Sequence, residues 1–368
     1  MAVELQRLRQ NSRHPAKLMK LRIGLLTAIA AGAGYAAVRR TQRKPSLILR
    51  GKCVLITGGS RGLGLALARE FGSHGATVAI CARDSEELTR ARTDLDSRGI
   101  QAYTFVCDIT EKDQVASMVR DVEKAAGPVD VLVNNAGIIS VGPFSAMTLE
   151  DFDKAMKVMF WGMLYTTMEV LPAMRNRRQG NIVNITSIGG KVSVPHLLPY
   201  SCGKFAAVAL SEGLCQELAP EGIRVTTIAP GLLRTGSHMN AEFKGRHASE
   251  YAWFAAGAAT PLVSIEASRA ARSIVRATIR GEKERILSVP ADFLARFHGL
   301  FPGVTGDLGR LANLFLPGPG GTGGTLRGHS IEARMNSWLW KRITQMGRAA
   351  AESLNEIPGK AAAPARPA

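Results

Sequence analysis

The stretch KCVLITGGSRGLGLALA, residues 52–68, decides the fold. Residues 54–57 are apolar or β-branched and read as a short buried strand. The turn Gly58-Gly59-Ser60-Arg61-Gly62-Leu63-Gly64 follows at once, and from residue 63 the apolar spacing is helical. Glycines at 58, 62 and 64 let backbone approach a pyrophosphate at the helix N-terminus, where unpaired N–H groups and the helix dipole favour an anion. A lone glycine-rich turn says little. Between the first strand and first helix of a strand–helix–strand unit it says much more.

Working outward from this turn, short β-branched runs alternate with longer helical stretches. Residues 54–57, 77–81, 102–107, 129–134, 181–186, 224–228 and 285–289 read as strands; 63–73, 85–97, 112–125, 149–175, 200–218 and 265–280 read as helices. Near-continuous apolar strands alternating with helices imply an α/β fold: a doubly wound (Rossmann) seven-stranded parallel sheet with helices on both faces. Its domain is expected over residues 45–316, with a lid at about 232–262 over the carboxyl edge of the strands, where substrate choice resides. Beyond residue 290, a Phe- and Leu-rich stretch ending at Leu316 reads as the mouth of an apolar pocket or a membrane contact. A Gly-rich linker at 317–330, a C-terminal helix at 331–356 and a disordered tail at 357–368 complete the chain.

The 368 residues carry a net charge of +17, which suggests nucleic acid until it is mapped. Residues 1–52 hold +11 and residues 317–368 hold +4, leaving +2 for everything between. A nucleic-acid binder spreads its cations over a folded face, so no nucleic-acid partner is expected. Five dispersed cysteines without C-x-x-C spacing exclude a disulfide scaffold or thiolate zinc site, and no metal site is expected. Within the basic segment 1–44, the run IGLLTAIAAGAGYAAV at 23–38 is flanked on both sides by Lys and Arg. As a helix it covers roughly 24 Å at 1.5 Å per residue, short of the ~30 Å hydrocarbon core unless the flanking cations snorkel. It reads as a retained anchor that spans thinly or lies in the interface. The competing readings are a cleaved signal peptide and a buried helix. The favoured expectation is a membrane-associated protein with its catalytic domain on the cytoplasmic side.

Four further motifs follow the glycine turn: Asn134-Asn135-Ala136-Gly137, a serine at Ser187 after the fifth strand, Tyr200-x-x-x-Lys204, and Pro230-Gly231-x-x-x-Thr235. In this order and spacing the sequence resembles the classical short-chain dehydrogenase/reductase family over about residues 52–290. The resemblance implies an oxidoreductase that moves a hydride between a nicotinamide cofactor and a small-molecule carbonyl or alcohol. Ser187, Tyr200 and Lys204 are its implied catalytic residues. Gly58, Ser60, Arg61, Gly62, Leu63, Gly64, Arg83, Asp108, Asn135, Tyr200, Lys204, Pro230, Gly231 and Thr235 are the implied cofactor contacts, and a homo-oligomer is the family's habit. NAD-specific relatives carry an acid at the end of the second strand. Here Ala82 stands there beside Arg83, with Arg61 as a second cation, so NADP(H) is expected over NAD(H).

Tyr200 and Lys204 are four apart on a helix and share a face, so the ammonium is expected to lower the phenol from its ~10 reference toward working pH. Tyr200 then exchanges a proton with the reacting oxygen. His196 reads as a rim residue, Cys202 as a small filler between Tyr200 and Lys204, and Glu86 and Glu87 as a solvated helix face. One departure stands out. The family carries an Asn in a V-N-x-x-G pattern of the long fourth helix, where it helps position a proton-relaying water; here the residues are Val158-Met159-Phe160-Trp161-Gly162. Methionine neither donates nor accepts well, which opens an alternative: an NADP(H)-binding scaffold or sensor with vestigial activity. The apolar anchor and the stretch after residue 290 favour a lipophilic substrate.

Overall fold

Apolar runs become strands of one sheet where helices can cover both faces, and seven strands form here, five interior and two at the edges. β1 (Cys53–Thr57), β2 (Thr77–Ala82), β3 (Ala102–Val106), β4 (Val129–Asn134), β5 (Gly180–Ile185), β6 (Ile223–Pro230) and β7 (Glu284–Leu287) form one sheet in the order β3-β2-β1-β4-β5-β6-β7. All its pairings are parallel, with Val54 opposite Val78 on one side and Val131 on the other. The computed structural model describes residues 46–260, 264–321, 324–335 and 338–357. The apolar run 23–38 and residues 358–368 of the tail lie outside them. No helix among the described residues is long and apolar enough to cross a membrane.

Alternation along each strand divides two cores. Val54 and Ile56 of β1, with Val78 and Ile80 of β2, enter a core that holds Leu65, Leu67 and Phe71 of α1 (Gly62–Ser73) and Leu88, Ala91 and Leu95 of α2 (Ser85–Asp96). Leu55, Ala79 and Leu132 face the other core, with Val115, Met118 and Val122 of α3 (Lys112–Ala126). Each fully buried Leu or Ile there contributes about 1.5–3 kcal/mol relative to exposure. The chain winds from β1 to β3 in one direction and from β4 to β7 in the other. A crevice therefore opens at the carboxyl ends of β1 and β4, where such sheets bind ligands.

The expected helix at 149–175 is three pieces: α4 (Leu149–Met156), a π-helical turn at Lys157–Trp161, and α5 (Gly162–Arg177). Periodicity shows a continuous helix because a π turn adds one residue without breaking it. After α6 (Leu198–Glu217), the region after β6 contains α7 (His247–Ala259) and short strands. One of these, Glu242–Phe243, pairs with Ser140–Val141 and with Leu326–Arg327. The stretch at 317–330 is therefore more than a linker, since it returns a strand to the lid.

α8 (Ala267–Arg280) packs a small-residue face of Ala267, Ala270, Ala271 and Ile274 into the first core. The Phe- and Leu-rich stretch becomes α9 (Val289–Leu300) and α10 (Pro302–Asn313), with Phe293, Leu300, Phe301, Leu308 and Leu311 exposed. The C-terminal helix is two elements, α11 (Gly328–Glu332) and α12 (Trp338–Ser353), tied by an Arg348–Glu332 ion pair of 2.7 Å.

Candidate active site

The glycine turn leaves β1 with Gly58 at φ 62° and Gly62 at φ 56°, a region costly for residues with a Cβ. At Gly58 a Cβ would stand 2.9 Å from the Ala136 backbone, so the turn and the Asn134–Gly137 segment are pressed together. Asn135 holds them: its amide donates to the Thr57 and Gly58 carbonyls at 3.0 Å each, and its backbone N–H donates to Thr57 Oγ1 at 3.0 Å. The Asn135 side chain thus shapes the turn rather than reaching into the crevice. α2 begins on a capping Asp84, whereas α1 has no side-chain cap. The N-terminus of α1 is left for a ligand or another segment of chain.

Behind this edge runs a buried polar ladder. Thr166 Oγ1 donates to Asn134 Oδ1 at 2.6 Å, and Asn134 Nδ2 donates to Asn184 Oδ1 at 2.9 Å. Asn184 Nδ2 donates to Ser211 Oγ at 3.0 Å, which meets Thr227 Oγ1 at 2.7 Å. The ladder joins α5, β4, β5, α6 and β6, the elements that carry Asn135, Ser187 and Lys204. Sequence reasoning missed it, although an Asn inside the apolar strand NIVNI was the available signal.

Ser187, just past β5, accepts from Gly189 N at 3.0 Å and is hydrogen-bonded to Tyr200. Tyr200 and Lys204 sit on α6, with Lys204 Nζ 5.8 Å from the Tyr200 ring centroid. The three residues meet at the carboxyl edge, beside Gly137. The expected electrostatics differ, however. Burial raises the Tyr200 phenol while the Ser187 hydrogen bond pulls it down. The lysine ammonium points at the Ile185 carbonyl, 2.8 Å away, and burial pushes it down to about 8. Spacing four apart fixes a shared face but not the direction of a flexible four-carbon stem.

Met159 lies in the π turn, 1% exposed. A Cβ at Gly203 would meet its Cε at 2.8 Å, and a Cβ at Gly137 would stand 4.0 Å from its Cγ. The thioether therefore fills the space beneath Lys204. It is Gly203, not Cys202, that makes room between Tyr200 and Lys204; Cys202 is exposed. His196 is no rim residue either. It is buried with φ 63°, its Nδ1 2.8 Å from the fully buried Glu250 carboxylate, which also accepts from Trp253 Nε1 at 2.7 Å. Tyr200 packs against an apolar wall of Val141, Leu197, Phe243, Tyr251 and Phe254, built from the lid and its neighbours.

At the other end of the crevice stand the two cations. Arg61 Nη1 lies 3.0 Å from Glu87 Oε1, and Ser60 Oγ donates to Glu87 Oε2 at 2.9 Å. Glu87 is thus bound to the turn instead of forming a solvated face. Arg83 lies 3.8 Å from Asp108, whose carboxylate accepts from Thr110 N and Oγ1. Gly231 N donates to Leu287 O at 3.2 Å after Pro230 ends β6, and the buried Thr235 Oγ1 accepts from Ser237 N at 3.2 Å. Leu63 and Gly64 open α1. The uncapped α1, the glycine cradle and Thr235 fit a dinucleotide, with Lys204 fitting the ribose next to its nicotinamide. One segment that the sequence reading assigned to the C-terminal helix lies past its end and reaches the cradle: Leu354–Glu356, whose Glu356 is buried. No local pattern marks it.

The description "short chain dehydrogenase" belongs to the family model that matches residues 52–244. A dehydrogenase/reductase SDR family protein 7-like from Anopheles gambiae is 36% identical over 247 residues, covering 65% of this chain and 76% of the relative. A short-chain dehydrogenase structure from Streptomyces avermitilis superposes with TM-score 0.62 at 30% identity, over 72% of this chain and 96% of its own. A gluconate 5-dehydrogenase from Burkholderia cenocepacia, in complex with NADP and tartrate, gives TM-score 0.57 at 28% identity, over 66% and 96%. With the glycine cradle, the Ser187–Tyr200–Lys204 cluster and these likenesses together, the chain belongs to the short-chain dehydrogenase family of oxidoreductases, which act on alcohol and keto groups with a nicotinamide cofactor.

Proposed function

We propose that the protein is an NADP(H)-preferring oxidoreductase that interconverts a lipophilic ketone or aldehyde with its alcohol, held at a membrane by its N-terminal segment. The observation that carries the substrate class is the apolar wall against Tyr200, formed by Val141, Leu197, Phe243, Tyr251 and Phe254. This cluster makes the surroundings of Tyr200 apolar, which favours an apolar substrate body whose oxygen meets the Ser187 and Tyr200 hydroxyls. The nicotinamide, when bound, supplies or accepts the hydride. Ser187 orients the reacting oxygen, and Tyr200 Oη donates a proton to it in reduction and removes one in oxidation. Lys204, anchored on the Ile185 carbonyl, keeps two further N–H bonds for ribose hydroxyls and holds positive charge beside the phenol below about pH 8.

Support for NADP(H) comes from Arg83 and Arg61, with Ala82 in place of an acid, and from NADP in the Burkholderia cenocepacia relative. Glu87 opposes it, since a 2′-phosphate would have to replace its carboxylate on Ser60 and Arg61. The two cations, with no acid at position 82, favour the phosphate once Glu87 gives way. The test is steady-state kinetics with NADPH and NADH against carbonyl compounds graded by chain length. Expected are kcat/KM values that rise with apolar length and favour NADPH, an advantage reduced at least about tenfold in Arg83→Ala and enlarged in Glu87→Gln. Equal use of NADH, or a preference for short polar carbonyls, rejects the corresponding half of the reading. Support for the anchor is the flanked apolar run 23–38.

A further inference from the structure

The C-terminal segment Leu354–Glu356 does not trail away from the fold; it lies on the glycine turn. Leu354 O accepts from Gly62 N at 2.9 Å, so the first free N–H of α1 is already taken. Asn355, at φ 57°, donates through Nδ2 to the carbonyls of Ser60 at 2.9 Å and Glu87 at 3.0 Å, and its Oδ1 accepts from Arg90 Nε. Arg69 Nη2 donates to Ser353 O at 2.8 Å. Glu356 then lays its carboxyl group against Gly62: the position a Gly62 Cβ would occupy is in collision with Glu356 Oε1 and 3.9 Å from Thr235 Cβ. Asn240 Nδ2 donates to Glu356 Oε2 at 2.6 Å and to its backbone O at 2.8 Å, and Arg61 Nε stands 3.7 Å from Oε2. Glu356 is 5% exposed.

We propose that Leu354–Glu356 is an intramolecular occupant of the pyrophosphate cradle, with the Glu356 carboxyl standing between Gly62 and Thr235 in place of a phosphate, and that cofactor binding requires this segment to leave. The inference rests on the dinucleotide reading of the cradle and goes beyond it, because it assigns a gate to a part of the chain outside the family's motifs. Three of the groups the segment occupies are ones the cofactor needs: the Gly62 N–H, the open face of Gly62 and the Arg61 guanidinium. A binding-competent fraction that is small lowers the apparent affinity by that same fraction. The docked state is also sensitive to pH. Burial pushes the Glu356 carboxyl up to about 7, while Arg61 and Asn240 pull it down and the nearby Glu87 carboxylate pushes it up. A raised folded-state value means that docking is strongest while Glu356 is protonated and weakens as pH rises through about 7.

The test uses the full chain, the full-length Glu356→Ala variant and a chain ending at Ser353. NADPH is titrated by its fluorescence at about pH 6 and about pH 8, and deuterium uptake is followed in peptides spanning 350–357 with and without NADP⁺. Expected are about tenfold tighter NADPH binding by both altered chains at the lower pH, a smaller gap at the higher pH, and faster exchange of 350–357 when cofactor is added. A purely structural tail would exchange at an unchanged or slower rate in the presence of cofactor, and that result overturns the proposal. So does a folded Glu356→Ala protein that binds NADPH no more tightly than the full chain. If the altered chains lose their circular dichroism, the exchange measurement on the full chain decides alone. Failure of the dinucleotide reading looks different: neither NADP(H) nor NAD(H) binds to the full chain or to either altered chain, and both inferences fall together.

Discussion

Tyr200 and Lys204 show how far neighbouring residues can be read without their surroundings. Their spacing gives a shared helix face, but the Ile185 carbonyl takes the ammonium and burial lowers it to about 8. The charged form of Lys204 therefore exists below that pH and is lost above it. Carbonyl reduction should change accordingly: kcat/KM for the cofactor, which reports the free enzyme, is expected to fall as pH rises through about 8, and the inflection should vanish in Lys204→Met. A profile that is flat across that range would show that the lysine charge is irrelevant. Tyr200→Phe removes one hydroxyl, and the expected loss is about 10² to 10⁴ in kcat with cofactor binding retained. Turnover unchanged in that variant would sink the proposed proton transfer.

Elements are held in register here by more than apolar contact. The ladder from Thr166 through Asn134, Asn184 and Ser211 to Thr227 crosses five elements with every member buried. Asn184→Ala breaks two hydrogen bonds and leaves Thr167 Oγ1, 3.2 Å away, as the acceptor for Asn134 Nδ2. The expected destabilisation is about 1–3 kcal/mol by urea unfolding, since each of the two lost buried bonds contributes about 0.5–1.5 kcal/mol. A loss below about 0.5 kcal/mol would mean that the ladder carries no stability. The boundaries of the strands and of α1, α2, α3, α6 and α8, the helices that alternate with them, were legible because apolar period and glycine punctuation set them locally, whereas α7, α9 and α10 were not foreseen. The interruption between α4 and α5 was not either, since a π turn leaves the apolar sequence pattern nearly intact while rotating the helix that continues from it. That rotation belongs to the packing of Met159 against Gly203, two residues far apart in sequence.

At the scale of the whole molecule, the unit from Leu47 onward contains the sheet, the cradle and the catalytic cluster. A chain beginning near Pro45 is accordingly expected to stay folded and to keep the full-length kcat/KM, with the full-length protein pelleting with membranes and the shortened one remaining in the supernatant. Loss of activity on shortening, or an unchanged distribution, would refute the division of labour between the N-terminal segment and the rest. The sequence by itself determined the parallel sheet, the glycine turn and the identities of Ser187, Tyr200 and Lys204, because each rests on periodicity or on a motif that lies close together along the chain. Only the tertiary structure decided that Glu87 binds the turn, that His196 is buried against Glu250, and that Glu356 reaches the cradle. These are meetings of polar residues tens to hundreds of positions apart. Local pattern carries no record of them, since burial and hydrogen bonding with a distant partner are properties of the folded chain and not of its neighbours in sequence.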